Sequence, residues 1–426
     1  MINQKLEGLQ IIGFYENSQL LESGVEVGDW LIEYNGELIE SKEQLTELKL
    51  RYQGITNIII RIKRNDADEY FQIWPGELGV YLAEVEKSPE IKKDAVRIDN
   101  IKRMEKKTGL ENTFFTSVKE IFNHYEIDID YHVLLCLSGY PFRLQFREDF
   151  SLDIFDPTEG YDCASFLFKN LGLKWEIHKN KTEKAIKKII FKSIDSNIPV
   201  LGRNLYGKDE WGIITGYQDN GKELFCRSFS DKTLDYSIAP NIPSKVIIFK
   251  EAPSLPCETG DIKDLTEQII AALHVAEELL NTDEADGYYL GNMALEKWQE
   301  ALDNHDFFEK LSDHEYDVIC KMNCQLFDRY SYNCQLASEL FADIIRVFEE
   351  SKEHLKRLSK FYKAESKVLG DCQRFIPKTS EENLKNYWNK KSRGNEIVAL
   401  VKIQKKNREI MAIMEKLPLF KNSDIV

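Results

Sequence analysis

The 426-residue sequence has no uninterrupted apolar run approaching the ~20 residues that a membrane-spanning helix needs, so no membrane partner is expected. Its first residues, MINQKLEGLQIIGFYENSQ, lack the basic start and long apolar stretch of a secretion signal. Basic charge is in deficit: 57 Lys and Arg stand against 72 Asp and Glu, a formal net charge of -15. That balance argues against a protein that mainly coats phosphate backbones, and no nucleic-acid partner is expected. The eight cysteines, at 136, 163, 226, 257, 320, 324, 334 and 372, form no CxxC pair. Scattered through so long a chain, they point to a reduced, cytoplasmic setting.

What is present is the composition of a packed protein, 42% hydrophobic and 11% aromatic, with length for two or three domains. The pattern reads as a multidomain α+β chain in three parts. Residues 1–88 form a β domain, 89–109 a charged linker, 110–252 a mixed α+β domain and 258–420 a helical domain. In the first part, GVEVGDWLIEYNG (residues 24–36) sets turn glycines on either side of an alternating strand. Ser41 and Gln44 have capping-box spacing, and Leu45, Leu48 and Tyr52 follow at helical intervals. Residues 58–62 and 70–74 read as strands joined by a polar turn at 65–68.

The order SQLLESGVEVGDWLIEYNGELIESKEQL (residues 18–45) resembles bacterial PDZ domains, in which a small turn, GD, a strand, NG and a helix follow at this spacing. Gln19-Leu20 replaces the family's frequent Pro-Ala. The segment PGELGVYL (residues 75–82) resembles the carboxylate-binding loop and its strand, placed last as in circularly permuted members. The resemblance implies capture of a protein or peptide C-terminus by Gly76, Leu78, Gly79, Val80 and Tyr81, with Leu45 and Leu48 on the facing helix. Independently of any family, glycines at 76 and 79 let successive backbone N–H groups converge on an anion, and the following strand can offer its edge to an extended peptide.

In the second part, apolar residues at 114, 115, 118, 121 and 122 mark a helix, residues 161–171 and 183–193 two more, 198–202 a strand and 211–229 a hairpin with its tip at 219–221. This order, with LSGYPFRLQF, DPTEGYD, NIPVLGRN and EWGIITGYQDNG, resembles the papain-like fold. More narrowly it is similar to C39-like peptidases and to the N-terminal domain of butirosin biosynthesis protein H, an acyltransferase. The resemblance implies a nucleophilic cysteine at the start of the first helix, where this chain has Thr113. It implies a histidine just before the Trp-Gly strand, where Glu210 stands, and a third member near Arg227 and Ser228.

A thiol enzyme needs a thiolate, a base to form it and donors for the oxyanion. Threonine is too weak an acid to serve without a strong base, and Glu210 would need a much raised pKa to act as one. Cys136 and Cys163 are the two rescue candidates, with core packing the preferred reading of both. His314, Cys320, Cys324 and Cys334 are close in sequence but lack the spacing of a zinc site. Neither metal nor cofactor is expected. The expectation is a binding or adaptor protein whose degenerate cleft holds a peptide or small acyl-like ligand. The alternatives are an acyltransferase or amide hydrolase with a nonstandard nucleophile, and an interaction protein that uses neither groove.

Overall fold

The computed structural model describes residues 8–15, 18–64, 67–84, 88–104, 110–207, 209–231, 233, 235–255, 260–372 and 384–420. Outside them lie Asn65 and Asp66 of the expected turn, the 105–109 end of the charged stretch, and Pro256, Cys257, Glu258 and Thr259 before the helical part. The structure is mixed α+β and 49% helical. It divides into two compact units, each drawn from two stretches of chain: Met1–Thr113 with Ile177–Ile248, and Phe114–Glu176 with Phe249–Val426.

Strands Leu9–Phe14 (β1), Trp30–Tyr34 (β2), Glu37–Leu38 (β3), Ile58–Arg64 (β4), Ala67–Ile73 (β5) and Val80–Glu84 (β6) form an antiparallel sheet in the first unit. Its order is β5-β4-β2-β1-β6, with β3 on β2. Alternation decides which face is buried: Ile58, Ile60 and Ile62 point into the core, whereas Ile59 is exposed. Asn35 and Gly36 both take left-handed backbone, φ 53° and 80°, as the two-residue link between β2 and β3 requires. Asp29 of the GD pair is buried and accepts two bonds from the Arg64 guanidinium, at 2.8 and 2.6 Å, and one from the Glu26 N–H. Two helices, Gln19–Glu22 (α1) and Lys42–Arg51 (α2), accompany the sheet. The Ser41 hydroxyl accepts the Gln44 N–H at 3.1 Å, while the Gln44 side chain accepts the N–H of Glu40. That satisfies two donors at the start of α2 and turns Leu45 and Leu48 into the core.

The later strands are Val96–Arg97 (β7), Gln145–Phe146 (β8), Trp175–Lys179 (β9), Val200–Arg203 (β10), Trp211–Gln218 (β11), Glu223–Arg227 (β12), Ser237–Ile238 (β13), Lys245–Phe249 (β14), Glu284–Ala285 (β15) and Tyr288–Leu290 (β16). A second sheet has the order β13-β12-β11-β10-β14-β9, with β7 on β11, and a small third sheet runs β15-β16-β8. Asp219, Asn220 and Gly221, all at positive φ, turn β11 into β12.

The remaining helices are Thr113–His124 (α3), Tyr131–Leu137 (α4), Cys163–Asn170 (α5), Glu183–Asp195 (α6), Thr266–Asn281 (α7), Gly291–Asp303 (α8), His305–Lys310 (α9), Asp313–Asp343 (α10), Lys352–Asp371 (α11), Leu384–Tyr387 (α12) and Lys390–Met414 (α13). In the second unit aromatic rings supply much of the core. Phe168 meets Phe114, Trp175 and Phe249, and Trp298 stacks on Phe146. Small residues let α10 and α11 approach closely: the Ser338 and Ser359 hydroxyls each donate to the other's carbonyl, at 2.9 and 3.0 Å, and Ser331 donates to Ser366. Among the described residues no helix is long and apolar enough to cross a membrane.

Candidate functional site

Three of the positions named from the sequence meet in the first unit. Thr113 opens α3, and its hydroxyl oxygen accepts the backbone N–H of Trp211 at 2.9 Å. Glu210 therefore lies one residue from the amide that Thr113 holds, although the two are 97 positions apart in the chain. The Glu210 carboxylate accepts the Ser230 hydroxyl at 3.0 Å, and its carbonyl accepts the Asn204 N–H at 2.8 Å. Ser228 completes the turn by accepting the Ser230 N–H. Gly212 is required here, because a Cβ would stand 2.6 Å from the Arg227 carbonyl and 3.1 Å from the Ser228 Cβ.

Among the described residues the group consists of hydroxyls and one carboxylate, with no imidazole and no thiol. Beneath it Arg227 is buried, paired with Asp231 at 2.9 Å and set over the Tyr236 ring at 4.3 Å. Asp231 also accepts from the Thr233 N–H and from the hydroxyls of Thr233 and Ser237. Each buried charge is thus matched, which describes a structural clamp rather than a reactive acid. Arg103 extends the network within the same unit, donating to the Asp231 carbonyl at 2.5 Å and to the Gln10 side chain of β1.

Cys136 and Cys163 both lie in the second unit. Cys163 is the first residue of α5, fully buried, and burial pushes its thiol up to about 12. Burial also drives the Cys136 thiol well above its ordinary value; among the described residues its one hydrogen-bond contact is a weak one to the Leu336 carbonyl at 3.9 Å. Neither forms a thiolate near neutral pH.

The second candidate is the edge of the first sheet. β6 pairs with β1 on one side and ends the sheet on the other. Its leading residues 75–79 form a loop in which, among the described residues, the N–H groups of Glu77, Leu78 and Gly79 donate to no protein acceptor. Gly79 sits at φ +72°, and a Cβ there would be 2.6 Å from the Ser18 Cα. Leu45, Leu48, Leu78 and Val80 belong to the buried core beneath this edge, whereas Tyr81 is exposed and packs its ring against Tyr15 at 4.2 Å. Lys49 of α2 reaches Glu77 of the loop at 2.8 Å.

No family model matches the chain, and no curated protein is similar to it. The resemblances rest on the residues quoted for them.

Two residues that hold loops in place, one in each unit, carry no local sequence signal. Gln19 pins the loop: its amide donates to the carbonyls of Glu77 at 2.7 Å and Trp74 at 3.2 Å and accepts the Trp74 N–H at 3.0 Å. Arg143 is buried and donates to the carbonyls of Ile154, Asp156, Glu159 and Tyr161, which fixes the DPTEGYD loop from inside. Cys320 and Cys324 share a face of α10, the Cys324 thiol donating to the Cys320 carbonyl at 2.8 Å. Among the described residues no group of three or more His, Cys, Asp or Glu is placed to hold a metal ion.

Proposed function

We propose that this is a cytoplasmic binding protein. Its first sheet acts as a PDZ-like module that captures the C-terminus of a protein or peptide, and its papain-like part, related to C39-like peptidases and butirosin protein H, no longer catalyses. The observation that carries the reading is the outer edge of β6, unpaired among the described residues, joined to a loop with three undonated N–H groups. An extended peptide gains main-chain bonds along such an edge, and its terminal carboxylate gains the loop amides. Gln19 and Ser18 hold that loop in place before any ligand arrives, which lowers the entropy cost of binding. Exposed apolar surface supports the same reading: of the fifteen exposed large hydrophobic side chains among the described residues, ten fall between Tyr15 and Tyr81.

Support for a silent cleft comes from its hydrogen bonds. The Thr113 oxygen accepts the Trp211 amide and the Glu210 carboxylate accepts the Ser230 hydroxyl, bonds that suit a scaffold role for both. A degenerate cleft of this kind is suited to holding a peptide or acyl-like ligand without turning it over. A library of C-terminal peptides tests the binding half by fluorescence anisotropy. Binding is expected to disappear when the terminal carboxylate is amidated and to weaken in Gln19→Ala; amidated peptides that bind equally well would sink it. A thiol-reactive acyl probe tests the silent half, which fails if Cys136 or Cys163 is labelled stoichiometrically and the label is lost on mutation to Ala.

A further inference from the structure

In the second unit, α11 and α13 pack against one another, with the Lys406 ammonium 5.3 Å from the centre of the Phe361 ring. Together they carry thirteen basic and five acidic residues within a chain of net charge -15, and two of the five, Glu365 and Glu396, are buried. Several cations elsewhere are paired: Arg61 with Glu33 and Asp68, Arg64 with Asp29, Lys92 with Asp219 and Glu223. Here seven are not. Among the described residues Arg357, Lys360, Lys363 and Lys367 on α11 and Lys402, Lys405 and Arg408 on α13 are all exposed and have no acid within salt-bridge distance.

Helical spacing aligns Lys360, Lys363 and Lys367 in a stripe roughly 10 Å long. On α13, Val398, Val401, Lys402 and Lys405 follow the i, i+3, i+4, i+7 pattern of a single face, and the two valines are 54% and 48% exposed. Like charges held three and four residues apart repel, so the face gains when carboxylates lie over it.

We propose that this face docks an acidic amphipathic helix of a partner protein, with apolar side chains over Val398 and Val401 and carboxylates over the lysines and arginines around them. An apolar centre with a charged rim is the anatomy of a protein interface. Neither helix exposes an aromatic ring on which a nucleic-acid base could stack. The apolar residues are two valines, not the Trp, Phe or Leu that interfacial helices bury in a bilayer.

The probe is a fluorescein-labelled peptide of three Glu-Leu-Leu-Glu-Glu-Leu-Glu repeats, titrated with the full chain by anisotropy. Saturable binding is expected, weakening at least about tenfold when NaCl is raised from roughly 0.05 to 0.3 M. The fourfold variant K360E/K363E/K402E/K405E, checked for unchanged helicity, is expected to lose binding at least tenfold, and V398S/V401S to weaken it severalfold. K184E/K188E, on exposed lysines of α6, serves as the charge control and is expected to bind like the parent. Equal binding by parent and fourfold variant, or equal loss in the α6 control, overturns the proposal. So does tighter binding of a 20-base-pair DNA duplex or of phosphatidylserine vesicles at the same salt, which assigns the face to another class of partner.

Discussion

Glu365 offers a measurable link between burial and pH. It lies inside the second unit on α11, with one carboxyl oxygen 3.8 Å from the Cys334 thiol and the other without a hydrogen-bond partner. Desolvation pushes its carboxyl from 4.5 up to about 8, even though Lys406 pulls the other way. The folded protein therefore keeps a proton at neutral pH that the unfolded chain has already released. Its contribution is fully present below about pH 4.5, is lost progressively as the pH rises, and levels off above about pH 8. A shift of that size corresponds to on the order of 5 kcal/mol over the window. Glu365→Gln removes the titration while keeping the shape. Urea unfolding of both proteins at intervals from about pH 5 to about pH 9, followed by circular dichroism, is expected to give curves that lie close at the acid end. They should diverge steadily above it, with the variant several kcal/mol the more stable at the alkaline end. Parallel dependences on pH would refute the reasoning, because they would mean that Glu365 titrates alike in the folded and unfolded chain.

Other expectations follow from single contacts. Gly79→Ala places a Cβ against Ser18 and holds a left-handed backbone on a residue that resists it, so a loss of about 1–3 kcal/mol is expected in the melting of the first unit. Asp231→Ala removes the carboxylate paired with the buried Arg227 guanidinium and is expected to cost about 3–5 kcal/mol by denaturant titration, more than Asp235→Ala, which removes a partly exposed partner of Arg97. Thr113→Val removes the acceptor of the Trp211 N–H at a cost of about 1–3 kcal/mol, whereas Thr113→Ser restores it; a loss of the same size in both would contradict the scaffold role of the hydroxyl.

Local chemistry made the elements legible. The spacing of Ser41 and Gln44 marks the start of α2, the isoleucine-rich run of residues 58–62 marks β4, and the Asp-Asn-Gly tip marks the β11–β12 hairpin, because each signal is complete within a few residues. Helix α4 was not legible: Tyr131–Leu137 is apolar on nearly every side and shows no periodicity. Long-range partners were equally hidden. Gln19 looks like an unremarkable departure from Pro-Ala until the loop 55 and more residues later folds back onto it. The partners of Arg143, Arg103 and Arg227 were not legible, since only the completed topology reveals which carbonyls and carboxylates enclose them. The positions Thr113 and Glu210 were named from the sequence. Their bonds to Trp211 and Ser230, which decide what each group has left to do, depend on contacts 98 and 20 residues away.

The edge of the first sheet is best tested by comparing matched peptides that differ only in a free or amidated C-terminus. Their binding to the full chain is measured by anisotropy, with Gln19→Ala and Gly79→Ala alongside. Saturable binding of the free-carboxylate form, abolished by amidation and weakened by both substitutions, is the predicted result. Binding indifferent to the terminal carboxylate and to the residue 75–79 loop would contradict it.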